Sequence, residues 1–137
     1  MAELVITEAD VTVDVGSQTY RSYEASEAIT AGQLVYINTD SKLALVDTTA
    51  EASSTVLGVA LTSSSADGDF IVIAEQGEYV VGATVVAGTY YCASSITPGS
   101  ICEFSDLVSN DYVSYCIVGT STTTANIRVY NSGIQKA

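Results

Sequence analysis

An eight-residue pattern built around Ala-Gly recurs in this chain, and this repetition constrains the fold more than any single motif does. Residues 29–36 read Ile-Thr-Ala-Gly-Gln-Leu-Val-Tyr, and residues 85–92 read Val-Val-Ala-Gly-Thr-Tyr-Tyr-Cys. Later segments correspond in the same order: 56–58 with 117–119, and 71–73 with 127–129. Structural repeats of about 50 residues bury their apolar faces against each other. The repetition therefore predicts two related β-repeat units, residues 29–81 and 85–136, packed as a pseudosymmetric pair.

Turn-forming residues divide the chain into short segments. Gly, Ser, Thr, Asn and Asp recur about every 8 to 12 residues between runs rich in Val, Ile and Tyr, and the only proline is Pro98. No stretch of a dozen residues has the sustained apolar spacing of a helix. The pattern predicts an all-β fold, a compact β-sandwich or barrel. The expected strands are 33–37, 43–46, 55–61, 69–74, 78–81, 89–92, 112–118 and 126–130, with turns at 67–69, 76–77 and 97–99.

The length of 137 residues suits one domain. The β-domain is expected at 29–137, and residues 1–28, which have a different, acidic composition, form an N-terminal arm or an added strand. An equally consistent alternative is that this segment completes the main sheet. Within it Val11, Val13 and Val15 alternate with polar residues, which is typical of one covered strand face.

Acidic residues dominate the charge of the chain. Four Lys and Arg against sixteen Asp and Glu give a formal net charge of −12. Such a surface repels phosphates and anionic headgroups, so we expect no nucleic-acid partner and no membrane partner. No apolar run approaches the roughly 20 residues of a membrane-spanning helix. The first residues lack the basic and apolar regions of an export signal, which favours synthesis in the cytoplasm.

Residue types argue against catalysis. Histidine, the side chain most used for proton transfer, is absent, and no nucleophile motif is present. Four carboxylates lie close enough in sequence to form a glycosidase pair, but solvated turn residues explain them more simply. These are Asp67, Asp69, Glu75 and Glu78. We therefore expect no enzyme activity, no cofactor and no metal site.

Three cysteines, Cys92, Cys102 and Cys116, cannot all pair within one chain, and none lies in a CxxC motif. The sequence thus predicts neither a disulfide framework nor a zinc site. Buried free thiols are the expected state.

Tyrosine is the main aromatic residue, with nine copies against two phenylalanines and no tryptophan. A tyrosine ring can be buried while its hydroxyl reaches a neighbouring chain. Tyr90 and Tyr91 are adjacent and so point to opposite faces of a strand, and at least one of them is expected to leave the core. We take Tyr90, Tyr91 and Tyr115 as candidate contacts between subunits, although packing within the monomer remains the alternative for each.

The order of these motifs resembles that of a known group of proteins. The segments are residues 27–36, 56–60, 68–73, 87–91, 97–101, 111–113 and 118–120. From about Ala25 to Gly133 the chain resembles the small β-rich capsid decoration (cement or head-fibre) proteins of tailed bacteriophages. Residues 1–24 fall outside the resemblance.

The resemblance implies a structural protein of the virion that is not an enzyme. It implies a homotrimer that binds the major capsid protein at the outer surface of the assembled head and stabilises the shell. We expect the strand around Val11, Val13 and Val15 to pair with a capsid edge or a neighbouring subunit. The alternative is a trimeric fibre or tail-associated protein that adheres to host-surface glycan.

Overall fold

The computed structural model describes residues 3–13, 19–94 and 96–137. This part of the chain forms ten strands that pair antiparallel in one sheet, which curls into a half-barrel. The all-β prediction is confirmed. The strands are β1 (Thr12–Val13), β2 (Thr19–Glu24), β3 (Leu34–Ile37), β4 (Leu43–Leu45), β5 (Gly58–Ala60), β6 (Phe70–Val80), β7 (Tyr90–Ala93), β8 (Ile101–Glu103), β9 (Tyr112–Gly119) and β10 (Thr124–Gln135). Three 3-10 turns lie at Glu8–Asp10, Ala52–Ser54 and Phe104–Asp106.

The two halves of the sheet have the same strand order. The path runs β4-β3-β5-β6 and continues β10-β9-β7-β8. Counted outward from the central β6–β10 pair, the equivalent strands of the two halves therefore follow in the same order. Both halves begin with the same turn. The Gln33 N–H donates to the Thr30 carbonyl at 3.1 Å, and the Thr89 N–H donates to the Val86 carbonyl at 3.1 Å. Each turn holds a glycine in the left-handed region, with φ 98° at Gly32 and 83° at Gly88.

Backbone pairing also corrects the alignment of the two segments. The Ala60 N–H donates to the Gln33 carbonyl, and the Gly119 N–H donates to the Thr89 carbonyl, both at 2.9 Å. Gly119 is therefore equivalent to Ala60. The alignment of the two sequence segments instead matches Gly119 with Gly58, which lies two residues before Ala60. Small residues recur often in this chain, so their identity alone does not fix the register.

Three strand predictions differ from the structure. The expected turn at 76–77 lies inside the continuous strand β6, where Gly77 has φ 100° and pairs with Ile127. Positive φ at this glycine marks an irregularity within the strand rather than its end. Strand β2 is absent from the predictions because it is rich in polar residues, and β8 is absent as well.

Apolar side chains form one main core and two smaller clusters. The main core contains Leu34, Tyr79, Ile101 and Ile117, all at most 1% exposed. A second cluster packs Ile29, Leu43, Ile71 and Ile73 in the first half of the sheet. The third contains Cys92, Cys102, Leu107 and Val113 in the second half. The sheet therefore buries side chains on both of its faces.

The N-terminal segment covers the sheet in several places. Its strands β1 and β2 both pair with β6. The Leu4 N–H donates to the Ile101 carbonyl at 2.8 Å on the edge strand β8, and the Ser26 N–H donates to the Leu43 carbonyl at 2.8 Å on β4. Both ends of the sheet path thus have their backbone groups partly occupied, which limits pairing with other chains there.

Candidate functional site

Three tyrosines lie side by side on neighbouring strands. Tyr130 of β10 is opposite Tyr115 of β9, and the ring of Tyr90 on β7 meets the Tyr115 ring edge to face, with centroids 6.1 Å apart. Tyr90 is 52% exposed and Tyr130 is 65% exposed. Large apolar rings grouped at a surface mark interaction sites more often than single exposed residues do.

Phe104 extends this group. Its ring stacks on Tyr115 with centroids 6.5 Å apart and 20° between the planes. Lys136 Nζ lies 5.0 Å from the centre of the Phe104 ring and donates to the carbonyls of Phe104 and Leu107 at 3.3 and 2.6 Å. The rings and the ammonium group hold each other in place. We call Tyr90, Phe104, Tyr115 and Tyr130 the aromatic face.

A trough of about 920 Å³ runs along the aromatic face. Besides tyrosines it is lined by the polar side chains of Glu75, Gln76, Asn126 and Arg128. Arg21 Nε lies 3.0 Å from Glu75 Oε2, without the alignment of a hydrogen bond. The trough is wide and open, so it suits contact with a surface or a chain better than enclosure of a small molecule.

The few basic residues are unevenly distributed. Arg128 lines the trough, Lys136 lies over Phe104, and Arg21 pairs with Glu75. Lys42 is elsewhere, between Glu24 and Asp67 at 2.8 and 2.9 Å. Three of the four cations of this acidic chain therefore lie at or beside the aromatic face.

Comparison with known families gives a match over half of the chain. A family model described as phage cement protein matches residues 5–77. The chain belongs to the phage cement protein family. A search among curated proteins finds no match. The matched region of the cement protein includes residues 5–24. The resemblance noted in the sequence analysis does not extend to these residues. The family match therefore includes most of the N-terminal segment.

Family membership associates the cement protein with the phage capsid. It also points to a structural rather than a catalytic role. None of the described segments forms a helix with the length and hydropathy needed to span a bilayer.

Two of the three predicted seam residues of the cement protein lie at the surface. Tyr90 and Tyr115 belong to the aromatic face, whereas Tyr91 is only 2% exposed and packs in the main core. The Tyr91 hydroxyl accepts a hydrogen bond from the Val86 N–H at 2.9 Å. Tyr91 therefore offers almost no surface to a partner.

The valines of the N-terminal strand have different environments. Val11 is 7% exposed in the main core, and Val13 is half-buried in β1 beside Tyr79 of β6. Val15 lies outside the described residues. A groove of about 370 Å³ adjoins β1 and is lined by Val11, Val13, Leu61, Val72 and two threonines. Val11 thus stabilises the fold, while Val13 borders an open apolar groove.

The carboxylates singled out in the sequence contact hydroxyls, backbone N–H groups and basic side chains. Asp69 accepts hydrogen bonds from the Ser65 N–H and hydroxyl and from the Ala66 N–H, and these bonds lower the pKa of Asp69 below its usual value. Asp67 is bound by Lys42, and Glu75 faces Arg21. In the ranges that the structure describes, no group of three His, Cys, Asp or Glu residues could hold a metal.

All three thiols are free and buried, as the sequence predicts. Burial raises the pKa of Cys92 and of Cys102 to about 12, and it raises the pKa of Cys116 well above that of a free thiol. The cement protein therefore keeps its cysteines as thiols, which are poor nucleophiles.

Sequence reasoning misses Phe104, Tyr130, Arg128 and Lys136 as members of the site. Phe104 and Lys136 are brought together across 32 positions of sequence, in a contact that no local pattern indicates. The concentration of three cations in an acidic chain becomes visible only once the fold places them.

Proposed function

We propose that this cement protein binds the outer surface of the assembled phage head as a homotrimer and thereby stabilises the shell. The family match over residues 5–77 carries the proposal. A protein that binds the assembled lattice and not its separated subunits stabilises the lattice by mass action. Three copies joined in one trimer would add their modest contacts through effective concentration. The partner is then the major capsid protein, met after synthesis in the host cytoplasm.

The aromatic face is the proposed contact between subunits. Tyrosine and arginine are enriched at protein interfaces, and Tyr90, Tyr130 and Arg128 are all exposed there. Two copies that each carry a charge of −12 repel one another at most orientations. Contact through the face that holds the cations reduces this repulsion, which supports Tyr90 and Tyr115 as seam residues.

The outer edge of β1 is the proposed contact with the capsid. Within the described ranges β1 pairs with β6 alone, so its other edge has no strand neighbour. A strand of the shell added there would gain main-chain hydrogen bonds, and the groove beside Val13 would receive an apolar side chain. Thr12 and Val13 are therefore the proposed docking residues.

The trimer is tested by measuring molar mass in solution with light scattering. The wild-type protein should have three times the mass of one chain, and a Tyr90→Ala/Tyr130→Ala variant should dissociate. Phe70→Ala is the matched control, because Phe70 is an equally exposed ring at the far end of β6. A wild-type protein that is monomeric at high concentration contradicts the trimer.

Capsid binding is tested by cosedimentation with heads that lack the cement protein. Removing residues 1–15 is an unsuitable test, because Glu3, Leu4 and Val11 all contribute to the fold. Val13→Asp is the sharper variant, with Ile96→Asp as its control at an exposed apolar residue outside β1. We expect Val13→Asp to lose binding while it stays folded. Equal binding by both variants contradicts the β1 contact, and no binding by the wild type contradicts the function.

A second candidate function is adhesion to host-surface glycan. The mixture of exposed tyrosines with Glu75, Asn126 and Arg128 in one open trough favours it, because sugars stack on rings and bond to polar side chains. Binding of host glycans that is lost in Tyr130→Ala would support this function. The same variant would then leave the trimer intact, which separates the two uses of the aromatic face.

A further inference from the structure

Cys92 and Cys102 face each other across the β7–β8 pair. The register places Tyr91 opposite Glu103, Cys92 opposite Cys102, and Ala93 opposite Ile101. Side chains directly opposite one another in antiparallel strands project from the same face of the sheet. Both cysteines accordingly belong to the same small apolar cluster, with Leu107 and Val113. The two thiols are therefore neighbours.

The Cα spacing at this pair lies within the range found in disulfides. The Ser94 N–H donates to the Ser100 carbonyl at 2.9 Å, and hydrogen-bonded pairs alternate along an antiparallel ladder. Cys92 and Cys102, two residues further along, are thus a hydrogen-bonded pair, for which Cα atoms are about 5.5 Å apart. Disulfides join Cα atoms about 4.4–6.8 Å apart. The Cβ atoms of such a pair lie about 5.5 Å apart, against about 3.5–4.5 Å in a disulfide, so bond formation draws the two Cβ atoms together by about 1 Å. Strain of this kind makes a disulfide easier to reduce, as a reversible modification requires.

The third cysteine lies on the other face. Cys116 follows Tyr115, which pairs with Cys92, and its side chain packs in the main core. Its Sγ donates to the Tyr91 carbonyl at 3.4 Å. The sheet backbone separates Cys116 from the facing pair, so this residue serves as an internal control.

The facing pair lies at the end of the sheet path, next to the N-terminal segment. On the outer side of β8, Glu3 bridges to Cys102 and Leu4 donates to the Ile101 carbonyl. Both thiols are fully buried. A reagent therefore reaches them when residues 3–4 detach and this short edge strand opens locally.

We propose that Cys92 and Cys102 are a redox modification site, oxidised to a cross-strand disulfide by exchange with a small-molecule disulfide. Local opening returns one thiol to solvent, where it loses its proton, and the resulting thiolate attacks the small disulfide. This leaves a mixed disulfide and releases a small thiolate, which takes up a proton. The second cysteine then attacks the protein sulfur and releases the second thiol. The protein loses two protons and two electrons, and the small disulfide is reduced to two thiols.

The disulfide would hold β8 against β7 even when residues 3–4 detach from the outer side of β8. Disulfides persist at virion surfaces and are rare in the cytosol. The setting in which oxidation occurs thus rests on the proposed function, since a protein of the outer head surface leaves the reducing cytoplasm with the virion. The chemistry itself depends only on the register of β7 and β8.

The test uses the folded full-length protein and oxidised glutathione. After incubation the protein is unfolded, its remaining thiols are alkylated, and peptides are mapped by mass spectrometry. We expect a mass lower by two hydrogens, alkylation of Cys116 alone, and a peptide pair linked through Cys92 and Cys102. Cys116→Ser should give the same bond, and Cys92→Ser should give none within the chain.

Alkylation of all three cysteines, or a bond that includes Cys116, overturns the proposal. Both outcomes are read from the wild-type protein, so the test stands even if a serine variant folds poorly. A failure of capsid binding leaves this result unaffected, which keeps the two proposals distinguishable. Amide exchange of residues 101–103 should slow by about tenfold or more after oxidation, and unchanged exchange overturns the claim that the disulfide holds β8 against β7.

Discussion

The side-chain amide of Asn131 pairs with the backbone of Val56 as a neighbouring strand would. The Val56 N–H donates to Asn131 Oδ1 at 2.9 Å, and Asn131 Nδ2 donates to the Val56 carbonyl at 3.2 Å. Val56 precedes β5, and Asn131 lies in β10 beyond Ile127, the last residue there that pairs with β6. The amide thus joins the two halves of the sheet where the β6–β10 ladder has ended.

Replacing Asn131 should weaken this junction. Asn131→Ala leaves both backbone groups of the buried Val56 without their partner, and we expect a loss of about 1–2 kcal/mol in the free energy of unfolding. Asn131→Asp keeps the acceptor but sets a carboxylate against the Val56 carbonyl, so it should lose at least as much at neutral pH. Urea unfolding measures both variants. An unchanged midpoint for Asn131→Ala would show that water replaces the amide without loss.

Two buried tyrosines should respond in opposite ways to removal of their hydroxyls. Tyr79 is 1% exposed, and its hydroxyl has no hydrogen-bond partner among the described residues, whereas the Tyr91 hydroxyl accepts from Val86 N–H. Tyr91→Phe should lose about 1–2 kcal/mol, and Tyr79→Phe should be neutral or gain up to about 1 kcal/mol. Chemical unfolding of the two variants checks this. Equal losses would mean that Tyr79 has a partner outside the described residues.

The sequence predicts the parts of the fold that depend on local pattern. Short runs rich in valine, isoleucine and tyrosine between turn-forming residues indicate strands, and the recurring Ala-Gly unit indicates two halves with one topology. Gly77 is the instructive failure, because a glycine with positive φ serves a turn and an irregular strand equally well. Choosing between them requires knowledge of the partner strand, here β10, which is distant in sequence.

The candidate site is less predictable because its geometry depends on pairing across strands. The adjacency of Tyr90 and Tyr91 indicates that one ring leaves the core, and the structure identifies Tyr90 as that ring. Tyr91 is the buried ring because it lies opposite Ile117 of β9. No local sequence pattern specifies this pairing. Phe104 joins the site through a 3-10 turn and through contact with Lys136, which lies 32 positions away in sequence.

The two equivalent turn glycines should differ in their tolerance of a side chain. Alanine at Gly32 or Gly88 is strained by the left-handed backbone, at a cost of about 1–2 kcal/mol. A Cβ at Gly32 would also lie 2.6 Å from Ile6 Cγ2, whereas a Cβ at Gly88 meets nothing within 4 Å. We expect Gly32→Ala to lose about 1 kcal/mol more than Gly88→Ala in thermal unfolding. In an Ile6→Ala background most of this difference should vanish, because only Val11 Cγ2 at 3.2 Å then remains close to the added Cβ. Persistence of the full difference would contradict the contact.

Stability should fall at alkaline pH because of the buried thiols. The pKa of Cys92 and of Cys102 is raised to about 12 in the folded protein, against 9.0 for a free thiol. Above pH 9.0 the unfolded chain therefore binds fewer protons than the native chain. The free energy of unfolding should decrease as pH rises from there toward 12, by at most about 1.4 kcal/mol per pH unit for each thiol. Unfolding is measured in urea with a reductant present, and Cys92→Ser/Cys102→Ser is compared with the wild type. The variant should show a shallower decrease, and parallel curves would assign the alkaline loss to other groups.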